Sequence, residues 1–254
     1  MSDAIKRGRY RGMWQVVQYN SGVYICALFI ICVACLSFPY AKPLAERMVV
    51  VVIAVPMLFW LCSSVMVSHY VYDRSPLYDL NWVKRDLSKA PRRWINVHAG
   101  VDETSLLLVQ LFPLALGEIL DIHDPEKMTE ASIRRARRTH HSLLRATPAD
   151  WRALPIANET IDAAFFFFVA HELRTDEARI QLFRELARVL RREGELTVIE
   201  HLRDCANFLA FGPGFLHFFS RSTWLRTAAA AGLQLRTEKS ITPFVRVFIW
   251  RRAI

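Results

Sequence analysis

Uncharged hydrophobic runs occupy much of the first 70 positions, and shorter hydrophobic runs recur at intervals beyond them. The first long run covers residues 23–38 and the second covers residues 48–67. The second has the roughly 20 residues that a helix needs to cross a hydrocarbon core, and the first approaches that length when Gly22 is included. The segment PYAKPLAER between them is typical of a turn. We therefore predict a membrane hairpin over residues 1–69, with spans at about 22–39 and 48–68.

Positive charge flanks this hairpin on its outer sides. The connecting turn carries only Lys42 and Arg47. The flanking lysines and arginines are Lys6, Arg7, Arg9, Arg11, Arg74, Lys84, Arg85, Lys89, Arg92 and Arg93. Loops rich in Lys and Arg remain in the cytoplasm, so we predict a two-span protein of the inner (cytoplasmic) membrane whose N-terminus and C-terminal part are both cytoplasmic. A cleaved signal peptide is the alternative, but no small-residue cleavage site separates the two runs.

Residues 70–92 form a predicted juxtamembrane linker that mixes aromatic and basic side chains. Its aromatic residues include Tyr70, Tyr72, Tyr78 and Trp82. Such a mixture favours a membrane–water interface, so we expect an interfacial anchor. The alternative is a rim around a substrate entrance, in which case Tyr72 and Tyr78 would contact the substrate.

From residue 93 onward, short apolar runs alternate with amphipathic helical stretches. The predicted strands are WINVHA, GEILDI, SLLRAT, IDAAFFFF, GELTVIE, QLRTEKSI and FVRVFIW. This alternation predicts an α/β domain over residues 93–254, with a Rossmann-like, doubly wound and mostly parallel seven-stranded sheet. No helix separates the last two strands, which indicates a hairpin at one sheet edge. Ligands of such sheets bind beyond the carboxyl ends of the strands.

Composition narrows the choice of partners. The net charge of +9 favours anionic surfaces, and because the chain has membrane-like runs we expect a lipid bilayer as partner and no nucleic acid. The five cysteines are scattered, and most lie in apolar runs. They predict buried small side chains rather than a disulfide framework or a zinc site.

Four stretches resemble class I S-adenosylmethionine-dependent methyltransferases, particularly the ubiquinone/menaquinone C-methyltransferase branch. They are NVHAGVD, ILDIHDPEKM, ADWRALPIANETID and LFRELARVLRREGELTVIE, and the resemblance covers about residues 93–252. It implies S-adenosylmethionine as the cofactor. In the last stretch it implies that Gly194 ends a helix in a left-handed conformation.

The resemblance also implies positions for the cofactor contacts. Asn96 stands where the family has an acidic residue, and Gly100 keeps one glycine of the turn after the first strand. His98 replaces another glycine, so the turn departs from the family pattern. Asp121 matches the acid that binds the ribose hydroxyls. Asp150 matches the acid that contacts the adenine amino group, and Trp151 is placed to cover the adenine.

Further polar residues follow the fourth and fifth predicted strands. His171, His201 and Glu200 are candidate catalytic groups, since a histidine serves as a base near neutral pH, and His171 is also a candidate cofactor contact. The candidate substrate contacts, besides the two tyrosines of the linker, are Glu172, Arg203, Asn207 and His217. The alternative is that these residues cap helices and tie loops together. We expect no metal site, because adjacent residues on a strand point to opposite faces.

The sequence thus predicts a membrane-anchored methyltransferase that acts on a hydrophobic or membrane-delivered small-molecule acceptor. One alternative is a non-catalytic domain of the same fold that acts as a membrane scaffold or partner-binding module. Another is an enzyme of this fold with different chemistry.

Overall fold

The computed structural model describes residues 8–140 and 142–252, so Lys6 and Arg7 of the predicted charged flank lie outside the described residues. The described chain begins with three helices, α1 (Arg11–Tyr19), α2 (Ser21–Ser37) and α3 (Leu44–His69). Two segments, Ser21–Tyr40 and Leu44–Asp79, are long and apolar enough to cross a membrane, with mean hydropathies of 2.4 and 2.5. Few residues of their most apolar windows are buried, 6% and 0% respectively.

The segment predicted as a linker is folded and packs against the sheet. It comprises a π-turn over Tyr70–Arg74, a 3-10 turn over Pro76–Asp79 and the helix α4 (Asn81–Asp86). Trp82 is buried, and its indole N–H donates a hydrogen bond to the carbonyl of Leu77. Trp82 therefore belongs to the core of the protein, and the interpretation of this residue as an interfacial anchor is wrong.

A single seven-stranded sheet forms the centre of the C-terminal part. Its strands are β1 (Arg93–His98), β2 (Leu116–Asp121), β3 (Thr147–Pro148), β4 (Ile161–Phe167), β5 (Leu190–His201), β6 (Leu233–Thr242) and β7 (Val245–Arg252). Their order is β3-β2-β1-β4-β5-β7-β6. The first five are parallel, whereas β7 runs antiparallel between β5 and β6. The predicted Rossmann-like fold and its closing hairpin are confirmed.

Helices cover both faces of this sheet. They are α5 (Ser105–Leu111), α6 (Ala131–Thr139), α7 (Asp176–Val189), α8 (Cys205–Phe211) and α9 (Arg221–Ala230). One buried cluster joins α6, α7 and α9 to the sheet, and a second joins α5 and residues 71–87 to it. In α7, the Thr175 hydroxyl caps the first turn and Leu182, Phe183 and Leu186 recur at helical spacing toward the sheet.

Two local predictions are wrong. The run at residues 142–147 is not a strand, because pairing at that edge of the sheet involves only Thr147 and Pro148. Gly194 does not end a helix: α7 ends at Val189, and Gly194 lies within β5 near a shift in its pairing with β4. A Cβ atom at Gly194 would lie 2.8 Å from the Ile161 carbonyl oxygen, so close backbone approach explains the glycine.

The N-terminal helices contact the C-terminal part directly. The Ser63 hydroxyl of α3 donates to the carbonyl of Leu209 in α8 over 3.2 Å. The Arg135 guanidinium of α6 donates to the carbonyl of Tyr19 at the end of α1 over 3.0 Å. Because of these contacts, α1, α2 and α3 stand close to the carboxyl ends of the parallel strands.

Candidate active site

A cavity of about 640 Å³ lies at the carboxyl edge of the sheet and continues between the N-terminal helices. Its wall is largely apolar and includes Val23, Ala27, Met57 and Leu61 of α2 and α3. The ionisable groups that line it are Tyr19, Tyr24, Tyr72, Tyr78, His98, Glu103, Glu130, His171, Glu172, His201 and His217. An apolar pocket with a few convergent polar groups is the usual form of a small-molecule site.

The turn after β1 forms one end of this cavity. Gly100 has a φ of +98°, a conformation that favours glycine. His98 is buried; its Nδ1 accepts from the Gly100 N–H over 2.9 Å, and its Nε2 has no hydrogen-bond partner among the described residues. Burial lowers the pKa of His98, so its imidazole is neutral at pH 7. The Asn96 amide lies below the turn, where it donates to the hydroxyls of Thr104 and Ser105.

Asp121 ends β2 as predicted, but its carboxylate is paired. Nη1 of Arg137, from α6, lies 2.9 Å from Asp121 Oδ2. The same side chain covers the turn, since a Cβ atom on Gly100 would lie 1.8 Å from Arg137 Nη1. Arg137 therefore occupies the space between the β1 turn and the acid at the end of β2. Sequence reasoning missed this contact, because the arginines of α6 are typical of a solvated helix face.

Asp150 and Trp151 lie beside a second arginine. The Arg152 guanidinium contacts Asp150 Oδ1 at 3.1 Å and stacks over the Trp151 ring at 4.1 Å. Trp151 is buried and its indole N–H donates to Asp124 over 3.1 Å. Asp121, Asp150 and Trp151 thus cluster beyond the cavity and do not line it.

His171 lies on a 3-10 turn, Ala170–Glu172, that follows β4. Its Nδ1 lies 2.7 Å from Oε2 of Glu200, and its Nε2 lies 3.5 Å from Oε1 of Glu172. Burial alone would lower the pKa of His171, but the two carboxylates outweigh it and raise the pKa to about 10. Without another cation, His171 is therefore protonated at neutral pH.

The donor atoms of His171, Glu172 and His217 lie within 4.8 Å of one another. His217 also has an acidic neighbour, since its Nδ1 lies 3.1 Å from Glu130 Oε1 and donates to it. The exclusion of metal ligands assumed that His171 and Glu172 are consecutive on a strand. That assumption is wrong, because a 3-10 turn lets both side chains face the same point.

His201 has the opposite environment. Its Nδ1 lies 2.8 Å from the carbonyl of Phe244, so Nδ1 carries the proton and Nε2 accepts from the Tyr72 hydroxyl at 2.7 Å. The ring stacks between Phe168 and Phe218, with centroid distances of 5.0 and 4.9 Å. Burial lowers the pKa of His201 to about 4, so it is neutral at physiological pH. Phe168 has a φ of +55°, a strained conformation for a bulky residue.

The structure separates the remaining candidates into two groups. Glu200 is fully buried beneath His171, and Tyr78 lines the cavity and donates to Glu103 over 2.7 Å. Arg203 instead donates to the carbonyls of residues 216 and 218, and Asn207 to that of residue 244. Neither Arg203 nor Asn207 lines the cavity, so both match the loop-tying alternative. Sequence reasoning missed Glu130 and Phe168, and no motif marks either of them.

Comparisons with known proteins agree with the fold. Residues 99–198 match the family model described as a methyltransferase domain. A search of curated proteins finds no match. Among solved structures, the chain resembles a SAM-dependent methyltransferase from Aquifex aeolicus, at 17% identity and a TM-score of 0.50 over 68% of this chain and 89% of that one.

Two further structures share the fold. The cyclase SpnF has 15% identity and a TM-score of 0.51, over 70% of this chain and 80% of its own. The pyocyanin biosynthetic protein PhzM has 16% identity and a TM-score of 0.50, over 85% of this chain and 61% of its own. Strand order and family match lead to one conclusion: residues 99–198 are similar to a methyltransferase domain, and the chain has the fold of such domains, preceded by two apolar helices.

Proposed function

We propose that this protein is a membrane-anchored S-adenosylmethionine-dependent methyltransferase of the inner (cytoplasmic) membrane, and that its acceptor is a hydrophobic small molecule delivered from the bilayer. The observation that carries the proposal is the cavity, which joins the carboxyl edge of a methyltransferase sheet to the space between α2 and α3. The exposed apolar surface of both helices supports their insertion into a bilayer.

The residues of the β1 turn and the acids beyond it fit the cofactor. Gly100 has the positive φ that such a turn needs, His98 Nε2 is a buried polar atom without a partner among the described residues, and Asp121 offers a carboxylate to two vicinal hydroxyls. Asp150 would contact the adenine. When bound, S-adenosylmethionine supplies an electrophilic methyl group. For ribose to reach Asp121, the half-exposed Arg137 side chain must rotate away.

The cavity residues would bind and orient the acceptor. The apolar wall of α2 and α3 suits a long hydrocarbon chain, such as that of a quinone, isoprenoid or lipid-linked intermediate, and the resemblance to the ubiquinone/menaquinone branch supports a quinone-like head. The Tyr72 hydroxyl, which donates to the neutral His201, lines the cavity and can orient a polar group of the acceptor. The positive charge held at His171 by Glu172 and Glu200 can stabilise a developing anion.

One observation favours a non-catalytic scaffold instead. Arg137 and Arg152 pair with the carboxylates that the resemblance assigns to the cofactor. If these arginines never release the carboxylates, S-adenosylmethionine cannot bind there. Different chemistry on the same fold is the third candidate, because SpnF shares the fold and is described as a cyclase.

The test is transfer of label from methyl-labelled S-adenosylmethionine. The purified full chain in lipid nanodiscs is incubated with an organic extract of bacterial membranes, and label in the organic phase is counted. The proposal predicts labelled product, and at least tenfold less with Asp121→Ala. Binding of S-adenosylmethionine without labelled product would favour different chemistry, and the absence of both would favour the scaffold.

A further inference from the structure

Three potential metal ligands from two distant segments converge on the cavity. His171 and Glu172 come from the turn after β4, and His217 ends the 3-10 turn Gly212–His217 after α8. Arg174 holds these two turns together, since its Nη1 donates to the carbonyl of His171 over 3.1 Å and to that of His217 over 2.7 Å. The backbone on which the ligands stand is therefore positioned before any ion binds.

Each histidine has a carboxylate on its Nδ1. Glu200 lies 2.7 Å from His171 Nδ1, and Glu130 lies 3.1 Å from His217 Nδ1. This pattern accompanies histidines that bind metal through their other nitrogen, because the carboxylate fixes the tautomer and increases the basicity of the ligand. Both histidines thus offer Nε2.

The spacing suits a tetrahedral ion. Zinc–nitrogen and zinc–oxygen bonds of about 2.0–2.2 Å place neighbouring ligand atoms about 3.4 Å apart. His171 Nε2 and Glu172 Oε1 are 3.5 Å apart, and the largest separation within the cluster is at most 4.8 Å, which a small side-chain rotation closes.

Two further observations favour cation binding at this cluster. Oε2 of Glu172 is buried and has no hydrogen-bond partner among the described residues. Two buried carboxylates, Glu172 and Glu200, also flank His171, and a metal ion bound at its Nε2 in place of the proton would compensate their charge. The guanidinium of Arg174 is directed to backbone carbonyls, so it does not replace an ion between the three ligands.

We propose that His171, Glu172 and His217 bind a divalent transition-metal ion of the zinc class. Two histidines and one glutamate form a known catalytic ligand set that leaves a fourth position open. All three residues line the cavity, so the open position accepts an anionic oxygen of a molecule bound there. The site does not require methyl transfer, and its test is independent of S-adenosylmethionine.

The experiment uses cobalt as a spectroscopic probe. Untagged, metal-free full chain in detergent is titrated with Co²⁺, and d–d absorption in the visible range is followed. We expect saturation at one ion per chain, displacement by Zn²⁺ and no displacement by a tenfold excess of Mg²⁺. His217→Gln and Glu172→Gln should each weaken Co²⁺ binding at least tenfold.

Two further variants keep the test decisive. Glu130→Gln removes only the carboxylate behind His217 and should weaken binding by roughly tenfold, as other losses of such partners do. His69→Gln is the matched control, because His69 also pairs with a carboxylate, Asp73, at 3.1 Å but belongs to no group of three potential metal ligands among the described residues; Co²⁺ binding should not change. No saturable Co²⁺ absorption, or equal affinity in all four variants, would overturn the proposal.

Discussion

The candidate site has a proposed cofactor half and a proposed acceptor half, and different segments of the chain form them. The cofactor half consists of the β1 turn and the acids at 121 and 150, and it lies almost entirely within the residues that match the methyltransferase family. The acceptor half is the cavity, whose wall includes α1, α2 and α3 and the π-turn that carries Tyr72. These elements precede the matched region. Under the proposed function, the matched region determines the reaction type and the N-terminal helices select the acceptor.

The halves also differ in how they are filled. Two arginines cover the acids of the cofactor half, whereas the acceptor half is an open cavity. Partly exposed arginine side chains that form weak ion pairs can leave a site at low cost. The aromatic rings packed around His201 cannot move aside in this way. The acceptor half is thus preformed, and the cofactor half is expected to open on binding.

The largest expected effect is a pH dependence of the unfolding free energy, caused by His201 in the acceptor half. As pH falls, the unfolded chain protonates its histidine near pH 6.5, but buried His201 stays neutral down to about pH 4. The stabilisation from this residue is therefore present above pH 6.5 and is lost as pH falls from 6.5 to 4, by up to about 3 kcal/mol. His201→Gln should remove this part of the pH dependence, measured as the unfolding free energy or melting temperature. Identical pH profiles would show that the imidazole is not held neutral.

The next effect separates acceptor binding from cofactor binding. Ser64 lies on α3 and faces α2, where its hydroxyl is hydrogen-bonded to that of Tyr24 at 3.0 Å on the cavity wall. Ser64→Leu fills this space, and overpacking of about 1–3 kcal/mol should raise the acceptor KM roughly tenfold and leave the Kd of S-adenosylmethionine unchanged. Val52→Leu, at an exposed position of the same helix, is the control. An unchanged KM would place the acceptor elsewhere.

A smaller effect is expected in the turn of the cofactor half. Gly100→Ala forces a side chain into a positive φ and against Arg137. Gly232 also has a positive φ, of +74°, but nothing lies within 4 Å of its added Cβ. Both Ala variants should lose about 1 kcal/mol of stability, and only Gly100→Ala should also weaken S-adenosylmethionine binding. Equal affinities would mean that the turn does not contact the cofactor.

The smallest effect tests whether Arg137 competes with the cofactor. A partly exposed ion pair contributes about 0.2–1 kcal/mol, so Arg137→Ala should tighten S-adenosylmethionine binding by roughly two- to fivefold, measured by calorimetry. Arg134→Ala, on the same helix, is the control and should have no effect. Weaker binding in Arg137→Ala would make Arg137 a cofactor ligand instead of a competitor.

Much of the fold could be predicted from sequence because its signals are local. Alternating apolar runs predict the strands, and the missing helix between residues 242 and 245 predicts the closing hairpin. The strand-end position of Asp121 could be predicted, because it follows a strand at family spacing. The pairing of Asp121 with Arg137 could not be predicted, because the sequence of a helix does not show which residue an arginine contacts.

The acceptor half was harder to predict because it depends on packing between distant segments. His171 and His217 are 46 positions apart, and only the relative placement of two short turns brings them together. Tyr72 reaches His201 across 129 positions because the segment after α3 packs on the sheet. The sequence predicts His171 and His201 as candidate catalytic residues. That His171 is protonated and His201 neutral follows only from their burial and their neighbouring groups.

The most direct test of the account is S-adenosylmethionine binding by the detergent-purified full chain, measured by isothermal titration calorimetry. The account predicts saturable micromolar binding that weakens about 10- to 100-fold in Asp121→Ala, because hydrogen bonds to a charged group contribute about 1.5–3 kcal/mol. A well-folded protein that binds no S-adenosylmethionine, including as Arg137→Ala, would contradict the methyltransferase account and favour the scaffold.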